Sequence, residues 1–233
     1  MLLMSGALPL SLVGESLFDG IDAFALTAVP LFILTGDVLV RTGLSRKFLD
    51  VAEALTCFAK GGFGSATVLV CGMFSAISGS DAAGAAAVGR MTIDRLVESG
   101  YPRPYACALV AAGACTGILI PPSIAYIIIG LVLGISASTL FLAAVIPGIA
   151  ILVSILITNI VVNRIYDYEG GGGIGFGEWL RNLGGALARG WYAFIVPAII
   201  FGGIFSGKFT PTEAGATAVI VMIFLGFVLG TLK

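Results

Sequence analysis

An acidic turn in the middle of an apolar stretch constrains this chain more than any other feature. Residues 63–89 are apolar enough to enter a bilayer, but their centre reads Ser78-Gly79-Ser80-Asp81. An ionised Asp at the membrane midplane costs about 2.5–3.5 kcal/mol on insertion scales. Irregular backbone at that depth is stable only inside protein or beside water. This stretch is therefore not a lipid-facing helix.

We predict a re-entrant hairpin instead. The residues after the turn, 82–89, are too few for a second crossing, which needs about 20 residues. One arm then enters over 63–77, the tip is 78–81, and the second arm returns over 82–89. Hydroxyls and carbonyls at such a tip can hold Na⁺, and helix N-termini can hold a carboxylate. Two simpler interpretations stay open: close packing of small residues, and N-capping by Asp81.

Composition places the whole chain in a membrane. It is 58% hydrophobic and only 11% charged, whereas a soluble domain has about 25% charged residues. The net charge of −1 gives no basis for nucleic-acid binding. There is no His, the commonest general base, and an embedded enzyme would have to rely on Asp37 and Asp81. We predict an all-α polytopic membrane protein that is not an enzyme.

A second apolar stretch, 105–133, is interrupted by Pro121-Pro122-Ser123. Two consecutive prolines remove two backbone donors and clash with the preceding turn. We predict a helix that is broken near the middle of the membrane, which leaves the carbonyls of 117–120 to find other partners. An ordinary kink is the alternative interpretation.

The rest of the chain alternates spans and polar links. The predicted spans are 23–40, 139–162, 191–207 and 214–232. The predicted non-spanning segments are an interfacial helix at 48–60, a flexible glycine-rich linker at 170–177, a surface helix at 178–189 and a capping box from Thr210 to Glu213. Residues 1–13 resemble the end of a span whose beginning is missing. The links are 14–22, 41–47, 90–104, 134–138, 163–190 and 207–213.

The distribution of Arg and Lys supports the hairpin independently. The links 41–47, 90–103 and 164–189 carry several cations, whereas 14–22 and 134–138 carry none and 207–213 carries only Lys208. These two sets alternate across the membrane only if the hairpin enters and leaves on one face. The positive-inside rule then puts the mouth of the hairpin on the cytoplasmic side.

A polar-tipped hairpin followed by a broken helix is typical of the midplane site of secondary transporters, where both are usually duplicated in an inverted second half. One hairpin and one double-Pro break occur here, so we predict half of such a site. The predicted regions are 1–60, spanning and interfacial helices with the start missing; 61–163, hairpin, broken helix and next span; 164–190, cytoplasmic linker; and 191–233, the first helices of a second half.

Five motifs resemble one known family, the large (DctM-type) membrane subunits of tripartite ATP-independent periplasmic (TRAP) transporters. They are VPLFILTGDV at 29–38, the Ser-Gly-Ser hairpin ending AAAVG at 85–89, GILIPPSIAYIIIG at 117–130, LFLAAVIPG at 140–148 and SGKFTPTEAGA at 206–216. The resemblance runs through essentially the whole chain. Each motif is weak alone, but five in this order and spacing identify the family.

The resemblance implies an elevator-type, sodium-driven importer of organic acids such as C4-dicarboxylates in the inner membrane. It implies no cofactor besides the coupling Na⁺. Its partners would be a small DctQ-type membrane subunit and a DctP-type periplasmic binding protein that delivers the substrate. The residues that would hold Na⁺ are Ser78, Gly79, Ser80, Gly117, Pro121, Pro122 and Ser123. The residues that would face the substrate are Ser78, Gly79, Ser80 and Asp81.

Two departures from the family pattern leave alternatives open. Many members carry an Asp where this chain has Gly84, and the acid here is Asp81, directly after Ser80. The family subunit is also roughly twice as long, so we expect a fragment or one half of a split subunit. The alternatives are a proton-coupled carboxylate transporter that uses Asp81, and an inactive fragment. The sequence does not name the substrate.

Overall fold

The computed structural model describes residues 10–169 and 175–231, and this part of the chain forms eleven α-helices and no strand. The helices are α1 Leu10–Ile21, α2 Ala28–Arg41, α3 Leu44–Thr56, α4 Gly62–Ser78, α5 Asp81–Glu98, α6 Arg103–Cys115, α7 Ile124–Leu133, α8 Ala137–Tyr166, α9 Phe176–Gly190, α10 Ile195–Phe205 and α11 Pro211–Val228. The predicted all-α class is therefore confirmed. Residues 1–9 and most of the glycine-rich segment, 170–174, lie outside the described residues.

The predicted hairpin is formed by α4 and α5, which are joined by Gly79 and Ser80. The start of α4 and the end of α5 lie side by side at the base of the hairpin. A Cβ atom at Gly64 would stand 2.5 Å from the hydroxyl of Tyr101, just beyond α5. The predicted end of the second arm at residue 89 is wrong. The helix continues to Glu98 because Thr92 and Leu96 are fully buried on one face of it, while its charged residues occupy the other.

The second apolar stretch is broken where the two prolines predict it. Helix α6 is followed by one 3₁₀ turn, Thr116–Ile118, and α7 begins only at Ile124. The peptide bond between Pro121 and Pro122 is cis. Five residues outside any helix separate the two parts, so the interpretation as an ordinary kink is wrong.

Four helical stretches are long and apolar enough to cross a membrane: Phe24–Arg41, Ala137–Tyr166, Gly177–Phe205 and Pro211–Val228. Each overlaps one predicted span, which confirms a multi-pass arrangement. The third also includes the predicted surface helix, which the structure shows as α9 followed by a 3₁₀ turn and α10. The prediction that residues 14–22 form a link between spans is wrong, because α1 extends to Ile21.

Helix α3 begins four residues before the predicted interfacial helix. Gly43 has a left-handed backbone (φ 70°), which glycine adopts without strain, so the chain turns there and the new helix starts at Leu44. The helix buries an apolar face that includes Phe48 and Leu49. That face packs against the hairpin arm α4 and against α9.

Two of the cation-poor links meet at the end of the bundle where α8 begins. A pocket of about 580 Å³ is lined by residues of 134–138 and 207–212, together with Phe24, Ala25 and residues of α7. At the other end, Arg95 pairs with Glu53 at 2.8 Å and Lys60 pairs with Asp167 at 2.9 Å. The hairpin therefore opens at the cation-rich end.

The start of α11 is a complete capping box. The Thr210 hydroxyl accepts a hydrogen bond from the Glu213 amide at 3.3 Å, and the Glu213 carboxylate accepts one from the Thr210 amide at 2.8 Å. These bonds satisfy backbone donors that a helix start otherwise leaves unpaired.

We expect Thr210→Ala to lower the melting temperature of the purified protein by about 2–4 °C, because it removes an N-cap. The matched control is Thr158→Ala in α8, since the Thr158 hydroxyl donates to the Ser154 carbonyl of its own helix at 2.8 Å. An equal loss of melting temperature in both variants would show that the capping box stabilises the protein no more than a Thr hydrogen bond inside a helix does.

Candidate functional site

The hairpin tip is built from two helix ends. Helix α4 ends at Ser78, Gly79 is left-handed (φ 66°), and extended Ser80 begins α5. The Ser80 side chain accepts a hydrogen bond from the Ala83 amide at 3.4 Å. The Ser78 hydroxyl accepts one from the Ser80 amide, also at 3.4 Å. The interpretation of Asp81 as the N-cap is therefore wrong: Ser80 is the capping residue.

This tip lies directly against the broken helix. A Cβ atom at Gly79 would stand 3.3 Å from the Ile124 nitrogen and 3.5 Å from the Pro122 carbonyl oxygen. The adjacent Ser123 is the N-cap residue of α7, but its side chain makes no capping hydrogen bond. The structure therefore brings the predicted tip and the predicted break together.

Ser75, which sequence reasoning missed, occupies the centre of the hairpin. It is fully buried, and a Cβ atom at Gly117 would overlap its Cβ and lie 2.8 Å from its Cα. A Cβ atom at Gly84 would overlap the Ser75 hydroxyl. Ser75 precedes Ser78 by three residues, the spacing that puts two side chains on one helix face, and this spacing was the available signal.

The contact with Ser75 accounts for one departure from the family pattern. Position 84 has no room for a carboxylate in this structure, because Gly84 touches Ser75 directly. The acid of the hairpin stands one turn earlier, at Asp81, the first residue of α5.

Three buried oxygens around the tip have no hydrogen-bond partner within the described part of the chain: Ser75 Oγ, Asp81 Oδ1 and Ser123 Oγ. Both serines are fully inaccessible to solvent. Buried polar atoms in native proteins almost always have a hydrogen-bond partner, which can be protein, an ordered water or an ion. Hydroxyl and carboxylate oxygens are ligands that suit a hard cation such as Na⁺.

The helix ends around the tip carry partial charges of both signs. Helices α5 and α7 begin at the tip with their N-termini, whereas α4 ends there with its C-terminus. Helix N-termini favour anions, and C-terminal carbonyls favour cations. The same small region can therefore receive a cation and a carboxylate.

The structure brings only some of the predicted site residues into contact. Gly79 lies against Pro122 and against Ile124, the residue after Ser123, whereas Gly117 lies against Ser75. Gly36 of α2 closes the tip from the other side, where its Cβ would stand 2.6 Å from that of Ser78.

The family model of the tripartite ATP-independent periplasmic transporter DctM component matches residues 1–233. The chain is 35% identical to the C4-dicarboxylate TRAP transporter large permease protein DctM of Pseudomonas aeruginosa, over 90% of this chain and 48% of that protein. It is 32% identical to the sialic acid TRAP transporter large permease protein SiaM of Vibrio cholerae, over 97% and 52%. It is 34% identical to the ectoine TRAP transporter large permease protein TeaC of Halomonas elongata, over 92% and 49%. The chain spans about half the length of these relatives.

Proposed function

Because this chain belongs to the DctM family of TRAP transporters, we propose that it forms half of the transport site of a sodium-coupled importer of organic acids. The observation that carries the proposal is the set of three unpartnered buried oxygens at the hairpin tip. A bound Na⁺ would satisfy oxygens that otherwise remain desolvated at a cost.

The order of binding follows from the electrostatics of the tip. Bound Na⁺ would be held by Ser75, Asp81 and Ser123, together with the hydroxyls and carbonyls of the Ser78–Ser80 turn and of the break. It would offset the negative charge of Asp81. A substrate carboxylate could then approach the N-termini of α5 and α7 without repulsion. Coupling between the two solutes thus needs only their mutual attraction.

The names of several relatives support an organic acid as the substrate. They include permeases for C4-dicarboxylates, sialic acid and 2,3-diketo-L-gulonate, and each of these substrates carries a carboxylate. We infer a C4-dicarboxylate or related organic acid for this chain.

The assembly we propose has three components in addition to the bilayer. A small DctQ-type membrane subunit and a DctP-type periplasmic binding protein would join the large subunit; one relative is a DctMQ permease protein. The other half of the transport site would come from a second repeat. The hairpin would open toward the cytoplasm from the inner membrane, and the loaded domain would move in an elevator manner.

The proposed function is tested by uptake of labelled organic acids into vesicles that contain this chain, its second half, the small subunit and the binding protein. We expect uptake that requires an inward sodium gradient. Uptake that follows a pH gradient and ignores sodium would favour the proton-coupled alternative. No uptake from correctly inserted protein would indicate an inactive fragment.

Ser123→Ala gives a sharper test, because the Ser123 hydroxyl makes no hydrogen bond to any described residue. We expect unchanged or slightly higher thermal stability without sodium, and a loss of about tenfold or more in apparent sodium affinity measured by thermal shift.

The matched control is Thr92→Ala, since the buried Thr92 hydroxyl donates to the Val88 carbonyl of its own helix at 2.9 Å. It should lower stability equally with and without sodium. A Ser123→Ala variant with the wild-type sodium response would remove Ser123 from the cation site.

A further inference from the structure

The chain directly after α8 folds back onto the base of the hairpin. Asp167 has a left-handed backbone (φ 50°), which reverses the chain after the helix. Two residues later, the Glu169 carboxylate accepts hydrogen bonds from the Phe63 amide at 2.9 and 3.1 Å and from the Gly64 amide at 3.4 Å. These amides lie in the first turn of α4.

Helix α4 has no capping side chain of its own. Its N-cap residue is Gly61, with φ 75°, so its first amides would otherwise be unpaired. A carboxylate at a helix N-terminus is stabilised by the helix dipole and by charge-assisted hydrogen bonds. Glu169 therefore caps a helix that begins more than 100 residues earlier in the chain.

Three further side chains complete this arrangement: Tyr101, Asn159 and Asn163. We call these three residues and Glu169 the base clamp. Tyr101 donates to the Glu169 carboxylate at 3.0 Å, and the Glu169 amide donates to Asn163 Oδ1 at 3.3 Å. Asn159 Nδ2 donates to the Gly61 carbonyl at 3.1 Å. Asn159 and Asn163 are fully buried.

The base clamp leaves little room for α4 to slide along α8. A Cβ atom at Gly61 would stand 2.6 Å from Asn163 Nδ2, and one at Gly64 would stand 3.0 Å from Asn159 Nδ2. Burial, with a smaller effect from the Glu169 carboxylate, raises the pKa of Tyr101, so its phenol stays protonated and remains a donor. The first arm of the hairpin, the link between α5 and α6 and the end of α8 are thus held at one point.

We propose that Glu169 is a positioning residue, which locks the first hairpin arm to α8 so that Ser75 and Ser78 stay in register with the broken helix. Helix α4 is continuous from Gly62 to Ser78, so a shift at its base is transmitted to the tip. The capping role stands on the contacts alone, whereas the effect on sodium rests on the proposed function.

The test is hydrogen–deuterium exchange on the purified protein. In Glu169→Ala we expect exchange at least about tenfold faster in peptides that cover residues 61–67, because charge-assisted hydrogen bonds are lost. We also expect faster exchange in peptides that cover the tip, 78–84. Glu169→Gln, which keeps an acceptor oxygen, should lie between wild type and Ala at both places.

The matched control is Asp167→Asn, two residues away, which removes the negative charge from the exposed pair with Lys60. Within the described residues, the Asp167 carboxylate bonds no amide of α4. This variant should leave both peptides at wild-type rates. Unchanged exchange at 61–67 in Glu169→Ala would overturn the capping role, and faster exchange there with an unchanged tip would overturn the positioning role.

A sodium titration of the same variants separates this inference from the proposed function. A higher sodium concentration for half-maximal stabilisation in Glu169→Ala supports positioning of the cation site. If wild type itself shows no sodium response while the tip exchange still rises in Glu169→Ala, the base clamp stands and the proposed function fails.

Discussion

Gly117→Ala is expected to destabilise the protein by about 3 kcal/mol or to prevent the broken helix from packing on the hairpin. The added Cβ would overlap the Ser75 Cβ and lie 2.8 Å from the Ser75 Cα. Rotation of the serine side chain cannot relieve the contact with the Cα, so one helix must move. Thermal or denaturant unfolding in detergent measures the loss.

A steric cause can be separated from a lost ligand. Ala keeps the carbonyl at position 117, so any loss of sodium response must come from packing. The control is Gly202→Ala in α10, where a Cβ atom would meet nothing within 4 Å; this variant should be neutral or stabilising. Ser75→Gly should partly rescue Gly117→Ala, and strictly additive effects in the double variant would contradict the contact.

Asp81→Asn is expected to weaken sodium binding by about tenfold or more, because it removes the negative charge from the three unpartnered oxygens. The amide keeps the shape of the side chain and one oxygen. Stability in the absence of sodium should change little, since Ser80 rather than Asp81 is the N-cap. A sodium titration followed by thermal shift compares Asp81→Asn with wild type, both without sodium and as sodium is added.

The control for charge alone is Asp37→Asn in α2, whose carboxylate pairs with Arg41 at 2.7 Å and is largely exposed. It should leave sodium binding unchanged. Equal effects from Asp37→Asn and Asp81→Asn would mean that net charge, rather than a specific ligand, governs the response. A wild-type response in Asp81→Asn would exclude Asp81 from the cation site.

The elements of the site could be predicted because each depends on a local rule. A polar turn at membrane depth and two consecutive prolines have few structural solutions in an apolar chain, and the distribution of cations fixed which links share an end. The length of α5 was missed because residues 90–98 are half charged, and only tertiary contacts show that Thr92 and Leu96 face inward.

The contacts that organise the site could not be predicted from the sequence, for a different reason. In the sequence, Ser75, Gly84 and Gly117 look like ordinary small residues of a membrane helix. Their importance is seen only in the structure, where both glycines contact Ser75. Glu169 follows a helix and precedes a glycine-rich segment, so nothing local connects it with Phe63. Long-range pairs of this kind depend on the full topology.

Equilibrium binding of ²²Na⁺ to the purified protein decides whether the hairpin tip and the break form a sodium site. We expect saturable binding that unlabelled Na⁺ displaces and choline does not, with weaker binding in Ser123→Ala and Asp81→Asn. If wild type binds without saturation, or if all three proteins bind equally, the tip and the break do not form this site.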